Sequence, residues 1–473
     1  MTANRRDESA LAGTSPNTPP ERLTGDDGWH RLHPLSPVVR TGRTLIAILV
    51  VFAGTLAPGA RGGPRGLVGQ LGFGGILLLA GVVSWLVTRW RVEDGDLRIE
   101  TGLVRRSSQR FPLSQIQAID IVRPAVARAF GLAELRLRMG GSTGGSGRLA
   151  YLGSEEANVV RARLLALSRG LPELTAEPAE RILVSVPVGR LIGSILLSRP
   201  AFVALVFVAA LAVTNTVAPS AALPLISSSG AMAIGFLTVL WRRFNGNYRL
   251  TVADASDGLR LRSGLLETTA ETIPRGRIQA VRMVEPLLWR PMGWCRLEVD
   301  VAGRQHANGE NSSDSRQLRP VLPVGTHAEA TGLLRLILPD TATDRVRPPG
   351  RAWIKSPLRY HYLSWGQSRS CVVTTTGRLA LVTSWVPMAK VQSLRLVQGP
   401  VQRALKLATL YLDTAGRNVH AAIRDRDADE AGAILVSLTT LSRDARREEF
   451  PWAAPNGSRT ISARGAPATA PEL

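Results

Sequence analysis

Cysteine is nearly absent: Cys295 and Cys371, 76 positions apart, are the only two among 473 residues. Neither a disulfide framework nor a zinc ribbon can be built from two thiols so placed. Lysine is scarcer than its frequency in most chains, with Lys355, Lys390 and Lys406 as the only three. Arginine therefore carries almost all of an excess of 58 basic over 37 acidic residues, and a formal charge of +21. Such a surplus suits anionic partners such as lipid headgroups, nucleic acid or acidic protein. The preference for arginine itself is what a GC-rich genome produces. Aromatic residues make up only 5%, the arginines are spread over the whole chain and no reading motif occurs, so nucleic acid is not the expected partner. Chemistry-bearing motifs are missing too. There is no Walker A loop and no H-E-x-x-H among six histidines, and His30 and His33 have no third ligand nearby. Gly140-Gly-Ser142-Thr-Gly144 spells G-x-S-x-G, but it lies in a glycine-rich run leading into a strand pattern and reads as a hairpin loop. No catalytic residue, metal or cofactor is expected.

Charge is missing from three long stretches: 17 residues from Thr44 to Ala60, 23 from Gly66 to Thr88, and 42 from Pro200 to Trp241. A bilayer span needs about 20 mostly apolar residues. The first two stretches, separated by Arg61 and Arg65, form one expected hairpin (38–88). The third, interrupted by Thr214-Asn215-Thr216 and Ala218-Pro219-Ser220, forms another (190–241). Residues 1 to 43 contain no apolar signal core. Arg31, Arg40 and Arg43 precede the first hairpin, Arg89 and Arg91 follow it, Arg190 and Arg199 precede the second, and Arg242 and Arg243 follow that. By the positive-inside rule both termini and all soluble parts are expected on the cytoplasmic side of an inner membrane, with Arg61 and Arg65 as exceptions. Trp85, Trp90 and Trp241 fall near the inner boundary.

The soluble remainder repeats. Gly102, Pro112, Gln117, Arg128, Gly131 and Gly141 recur as Gly264, Pro274, Gln279, Arg290, Gly293 and Gly303, and again as Gly377, Pro387, Gln392, Arg403, Lys406 and Gly416. The glycine precedes the proline by 10 positions, glutamine follows it by 5, arginine by 16, and the closing glycine follows the arginine by 13, in all three copies. Alternation in Leu135–Met139, Leu297–Val301 and Leu410–Asp413 predicts strands. Helical patterns opening at Ser154, Thr326 and Asp427 predict a C-terminal helix in each copy, with Ala157, Glu329 and Glu430 three positions on. The expected fold is an α+β membrane protein. It has the two hairpins and three small domains (89–180, 242–340, 358–445), each a curved antiparallel sheet capped by a C-terminal helix. Residues 341–357 form a linker, and 1–28 and 446–473 are disordered tails.

These residues resemble the bacterial pleckstrin-homology-like, membrane-flanked domain family. The likeness lies in the Pro-x-x-x-[Ile/Val]-Gln segment, the Arg-x-x-Gly-Leu turn, and a strand ending in glycine, at Pro112–Gly141, Pro274–Gly303 and Pro387–Gly416. Arg31-Leu-His-Pro-Leu-Ser36 is similar to the opening of its large multi-copy members. The resemblance implies that each of the three domains is a PH-like β-sandwich or barrel, while fold likeness says little about ligand. Eukaryotic relatives of the fold bind lipid with a basic pocket in the first strand loops, which implies Arg105, Arg106 and Arg110 as candidate anionic-lipid contacts. The second and third copies lack such residues there. The motif prolines read as strand-entry or edge residues, and the glutamines as partners for backbone groups at a strand crossing, with ligand binding as the alternative. Arg128, Arg290 and Arg403 are open to two readings, a bidentate phosphate ligand or a packed stem with a solvated head. Lys406 at the inner glycine position implies either a third turn of different shape or a contact that only Gly131 and Gly293 make; the first is the expectation. The expected function is a non-enzymatic membrane platform for binding or assembly. Its partners would be the bilayer, anionic headgroups, and another membrane protein or a second copy of itself. A transport or export component is the alternative.

Overall fold

The computed structural model describes residues 28–36, 86–101, 107–139, 146–168, 180–302 and 318–449 with gaps of one or two positions, and a few isolated positions between 39 and 83. Most of the first expected hairpin, nearly all of both expected tails, and Gly141, Gly303, Arg105 and Arg106 lie outside the described residues.

The chain divides into two compact units at Pro112/Leu113. In the first, β1 (His30–Arg31), β2 (Arg89–Glu93), β3 (Asp96–Thr101) and β4 (Ser107–Pro112) form an antiparallel sheet in that order. The strand–turn–strand expected from Arg91 to Glu100 is the β2–β3 pair, with Val92 opposite Leu97. Trp90, Leu97, Ile99 and Phe111 are its buried apolar side chains among the described residues, and Glu100 is buried beside them. The guanidinium groups of Arg89 and Arg91 each lie 4.5 Å from the centre of the Trp29 ring.

The second unit begins with β5 (Ile116–Arg123), α1 (Ala125–Ala129), β6 (Leu132–Met139), β7 (Ser146–Gly153) and α2 (Ser154–Ser168). Next come β8 (Arg181–Ser185) and three helices: α3 (Val188–Leu196), α4 (Arg199–Val217) and α5 (Pro219–Asn247). The second copy continues as β9 (Thr251–Ala255), β10 (Gly258–Ser263), β11 (Thr268–Ile273), β12 (Ile278–Pro286), β13 (Trp294–Val301), β14 (Arg319–Thr326) and α6 (His327–Ile337). The third consists of α7 (Ala352–Lys355), β15 (Ser364–Gln367), β16 (Cys371–Thr376), β17 (Ala380–Pro387), β18 (Val391–Val397), α8 (Pro400–Ala404), β19 (Leu407–Thr414), β20 (Ala421–Asp427) and α9 (Ala428–Glu449).

The copies do not each keep a sheet to themselves. One seven-stranded sheet runs β7-β6-β5-β11-β10-β9-β8, a six-stranded sheet runs β14-β13-β12-β17-β16-β15, and a three-stranded sheet runs β18-β19-β20. Each copy's last three strands therefore continue, where a next copy exists in this unit, into the first strands of that copy. The hydrophobic cores lie across the sheets. Leu250, Leu259, Leu261 and Ile273 of the second copy share a core with Trp289, Leu297, Val299 and Val324, and Leu333 and Leu334 of α6 cover it. Trp365, Val372 and Val386 of the third copy do the same with Leu410, Leu412 and Ile423, covered by Ile434 and Leu438 of α9. Removing such residues from water, at about 1.5–3 kcal/mol per large aliphatic or aromatic side chain, is the main force holding each sandwich together.

The helix caps follow two patterns. Thr326 and Glu329 form the expected reciprocal box on α6. On α2 the reciprocal acceptor is Glu156, which takes the Gly153 N–H at 3.3 Å, so the Glu-based cap lies one residue earlier than Ser154 and Ala157 suggest. Burial opposes ionisation of Glu329, but hydrogen bonds from Arg190 and Thr326 outweigh it and hold the carboxyl below the usual range.

The uncharged stretch 200–241 lies in α4 and α5, which pack beside each other. The helix runs on through Thr214–Val217, and α5 continues past Trp241 to Asn247. Among the described residues no single helix is long and apolar enough to cross a membrane, but α3 with Arg199–Thr214 passes as a pair bent by 53°.

Gly131 and Gly293 take φ of +68° and +63°, and Lys406 takes +50°. The third turn thus keeps the same left-handed shape, contrary to the expectation of a different one. A Cβ on Gly131 or Gly293 would meet nothing within 4 Å, so no contact explains the glycines either. Their role is conformational, and Lys406 is a side chain accepting the strain. Lys406→Gly is expected to raise stability by about 1 kcal/mol, and Gly131→Lys to lower it similarly, in thermal unfolding. Equal midpoints would refute this.

Candidate functional site: the seams between copies

Both seams are antiparallel strand pairs. At the first, Arg123, Val122 and Ile121 of β5 face Thr268, Thr269 and Ala270 of β11. At the second, β12 faces β17 from Val281↔Trp385 to Pro286↔Ala380. Their registers are the same when counted from the motif prolines. Val281 lies seven residues after Pro274 and its partner two before Pro387. Ile121 lies nine after Pro112 and its partner four before Pro274. Two steps along an antiparallel ladder convert one pairing into the other.

The motif arginines bridge these seams. Arg128 Nη1 donates to the Leu265 carbonyl at 3.0 Å, and Arg290 Nη2 donates to the Arg378 carbonyl at 2.8 Å. Each acceptor stands nine residues before the next copy's motif proline. Neither sequence reading of these arginines included a partner copy's backbone. Arg403, their counterpart in the third copy, is exposed and has no side-chain acceptor among the described residues. Around the first seam Glu271 is buried on β11 and pairs with Arg138 of β6 at 2.7 Å and Arg319 of β14 at 2.9 Å; Arg138 also reaches Asp120 at 2.7 Å. Burial works against the Arg138 charge, but Glu271 and Asp120 more than compensate and push its pKa up. From α2, buried Arg161 donates to the Ile119 carbonyl (3.1 Å) and the Thr272 hydroxyl (3.2 Å), spanning the same seam.

At the second seam the equivalent of Arg138 is Asp300, buried on β13. Its carboxylate accepts the backbone N–H groups of Asn418 at 3.0 Å and Val419 at 3.1 Å. A Cβ on Gly416 would overlap that carboxylate, which accounts for the closing glycine of the third copy. The expected linker 341–357 is docked rather than free: Val346 pairs with Trp365, and Lys355 forms an ion pair with buried Asp425. Asp425 also accepts from Gln402 Nε2 at 2.8 Å.

The remaining motif positions serve the backbone. The ladder skips between Ile116 and Ala118, Ile278 and Ala280, and Val391 and Ser393, so Gln117, Gln279 and Gln392 each occupy a β-bulge. Gln279 is buried and donates to the Arg277 carbonyl at 3.3 Å, while Gln392 is exposed. The motif prolines stand at strand exits, not at the expected strand entries: Pro112 and Pro387 are the last residues of β4 and β17, Pro274 directly follows β11, and each leads into one turn of 3-10 helix. Arg110 is exposed on β4. Burial, with Glu285 and Glu329 nearby, pushes the Cys295 thiol up to about 12, so it stays protonated at neutral pH. Among the described residues no group of three His, Cys, Asp or Glu side chains is placed to hold a metal ion.

Helix-capped sandwiches, strung together through shared sheets and recurring at fixed spacing, define a PH-like repeat protein. The Bacterial PH domain family model matches three times, at residues 35–168, 192–322 and 320–441, and the chain belongs to that family. No curated protein and no solved structure matches it.

Proposed function

We propose that the chain is a non-enzymatic, membrane-tethered platform that presents its PH-like domains at the cytoplasmic face of an inner membrane for binding or assembly. The observation that carries this reading is the surface of α4 and α5. Phe202, Leu205, Val208, Val213 and Val217 on one helix, and Ile234, Leu237 and Trp241 on the other, are all exposed. Apolar exposure of this extent in water marks a membrane or protein contact. Charge supports the lipid: Arg199 opens α4 and Arg242 and Arg243 stand near the end of α5, with no charged residue between Pro200 and Trp241. The base of α5 is coupled to the repeat. Asn245 accepts the Leu265 N–H with its carbonyl at 3.1 Å and the Leu266 N–H with its side chain at 2.8 Å, at the same turn that Arg128 clamps. An anchored helix pair thereby positions the first seam, and tethering raises the effective concentration of any partner bound nearby. General attraction to anionic lipid, at about 1 kcal/mol per arginine near the surface, reinforces the anchor.

Thr216→Cys in intact cells tests the topology, since both native cysteines are buried. Labelling by a membrane-impermeant maleimide added outside is expected. Labelling only after lysis would overturn the reading.

A further inference from the structure

Among the described strands, the first unit's sheet ends at β4 and the third copy's sheet ends at β18, each with a strand neighbour on one side only. β4 holds the place in the repeat that β11 and β17 hold in the later copies, and β18 holds that of β5 and β12. The chain thus carries both halves of a third seam. Burial records the missing partners. Ile121 and Val122 of β5 are 4% and 3% exposed, whereas Leu396 and Val397, at the same positions of β18, are 42% and 43% exposed. On the other side, Glu271 and Thr272 of β11 are buried, while Gln109 and Arg110 of β4 are exposed. Arg403 lacks the acceptor that Arg128 and Arg290 find across their seams.

We infer that β18 of one molecule pairs with β4 of a second copy, in the register of the internal seams, giving a head-to-tail assembly. The inference rests on the assembly reading above and names its partner. The shared register opposes Leu394 to Arg110 and Arg395 to Gln109. An open edge is a template for strand addition, and an edge that matches its own chain's other end in register is most economically filled by that chain. The contact is heterologous, so repetition closes into a ring or extends as a filament in the membrane plane.

Two differently tagged full-length copies, one carrying Arg110→Cys and the other Leu394→Cys, are co-expressed and oxidised in native membranes. Paired strands bring directly opposed Cα atoms to about 4.5–5.5 Å, within disulfide reach. A cross-link joining the two tags is expected, roughly fivefold or more above that from Arg110→Cys with Ser393→Cys, which is one residue out of register. Arg403→Ala, a change at an exposed position, is expected to lower cross-linking or to weaken association in detergent about tenfold. Three results would overturn the inference: no cross-link, equal cross-linking at both registers, or a disulfide only within a chain bearing both cysteines. A foreign protein occupying β18 in place of a second copy would also overturn it. Each of these leaves the tethering reading intact, because that reading depends on Thr216→Cys labelling.

Discussion

Gly264→Ala and Gly377→Ala are each expected to destabilise the protein by roughly 3 kcal/mol, combining a backbone conformation closed to alanine with an overlap that cannot relax. The two glycines occupy the same place in successive copies and have φ of +120° and +101°. A Cβ there would fall on the carbonyl oxygens of Glu267 and Ala380. Both oxygens belong to the hairpins that the glycines close, β10–β11 and β16–β17, so relief requires opening the turn. The same turns present Leu265 and Arg378, the carbonyls that Arg128 and Arg290 hold. The loss should therefore extend into the seams and appear as faster amide exchange in β5 and β12 as well as in the mutated hairpin. Gly189→Ala is the control. It lies in α3, has no neighbour within 4 Å of an added Cβ, and should be neutral or gain up to about 1 kcal/mol of helix propensity. Unchanged stability in Gly264→Ala and Gly377→Ala would refute the account.

These glycines also show why the repeat was legible in the sequence. Each motif position marks a backbone event that few residue types tolerate. The leading glycine closes a hairpin, the proline ends a strand, and the inner glycine takes the left-handed turn. Spacing survives among copies because those events sit at fixed points of the same ladder. The glutamine marks a bulge without being required by its side chain, since Gln279 is buried and Gln392 exposed in the same bulge. The seams left no comparable trace. Alternation along a strand tells which face is covered, whereas a seam concerns which edge is paired, and backbone N–H and C=O groups are the same in every sequence. Thus β5, β12 and β18 carry one motif, yet among the described strands only β5 and β12 of the three have neighbours on both edges. The motif arginine was visible as a recurrent residue, but for Arg128 and Arg290 the acceptor is a main-chain oxygen more than eighty positions away, across each internal seam. Lys406 failed as a signal for another reason. The left-handed region costs a lysine only about 1–2 kcal/mol, little enough for the surrounding turn to impose it.

Glu271→Ala is expected to be the most damaging single change at the first seam, with a loss of about 3 kcal/mol, the lower end of the range for breaking a buried pair because Arg138 retains partial solvent access. Glu271 has 5% of its surface exposed and receives two guanidinium groups, Arg138 from the first copy and Arg319 from its own. Removing the carboxylate leaves two cations converging on one partly buried place, with Arg138 still paired to Asp120. Glu271→Gln keeps the shape and a hydrogen-bond acceptor but not the charge, so an intermediate loss is expected. An exposed pair gives the scale. Arg369 and Glu448 are 3.5 Å apart with side chains 87% and 69% exposed, and Glu448→Ala should change stability by less than about 1 kcal/mol. The effect of Glu271→Ala is expected to be local as well as large. Amide exchange should accelerate first at Ile121–Arg123 and Thr268–Ala270, the paired segments of the seam, while β18–β20 and α9 of the third copy keep their protection. If Glu271→Ala and Glu448→Ala gave the same stability and exchange, the charged cluster would contribute nothing to holding the first two copies in one sheet, and the strand pairing with the Arg128 clamp would have to do so alone.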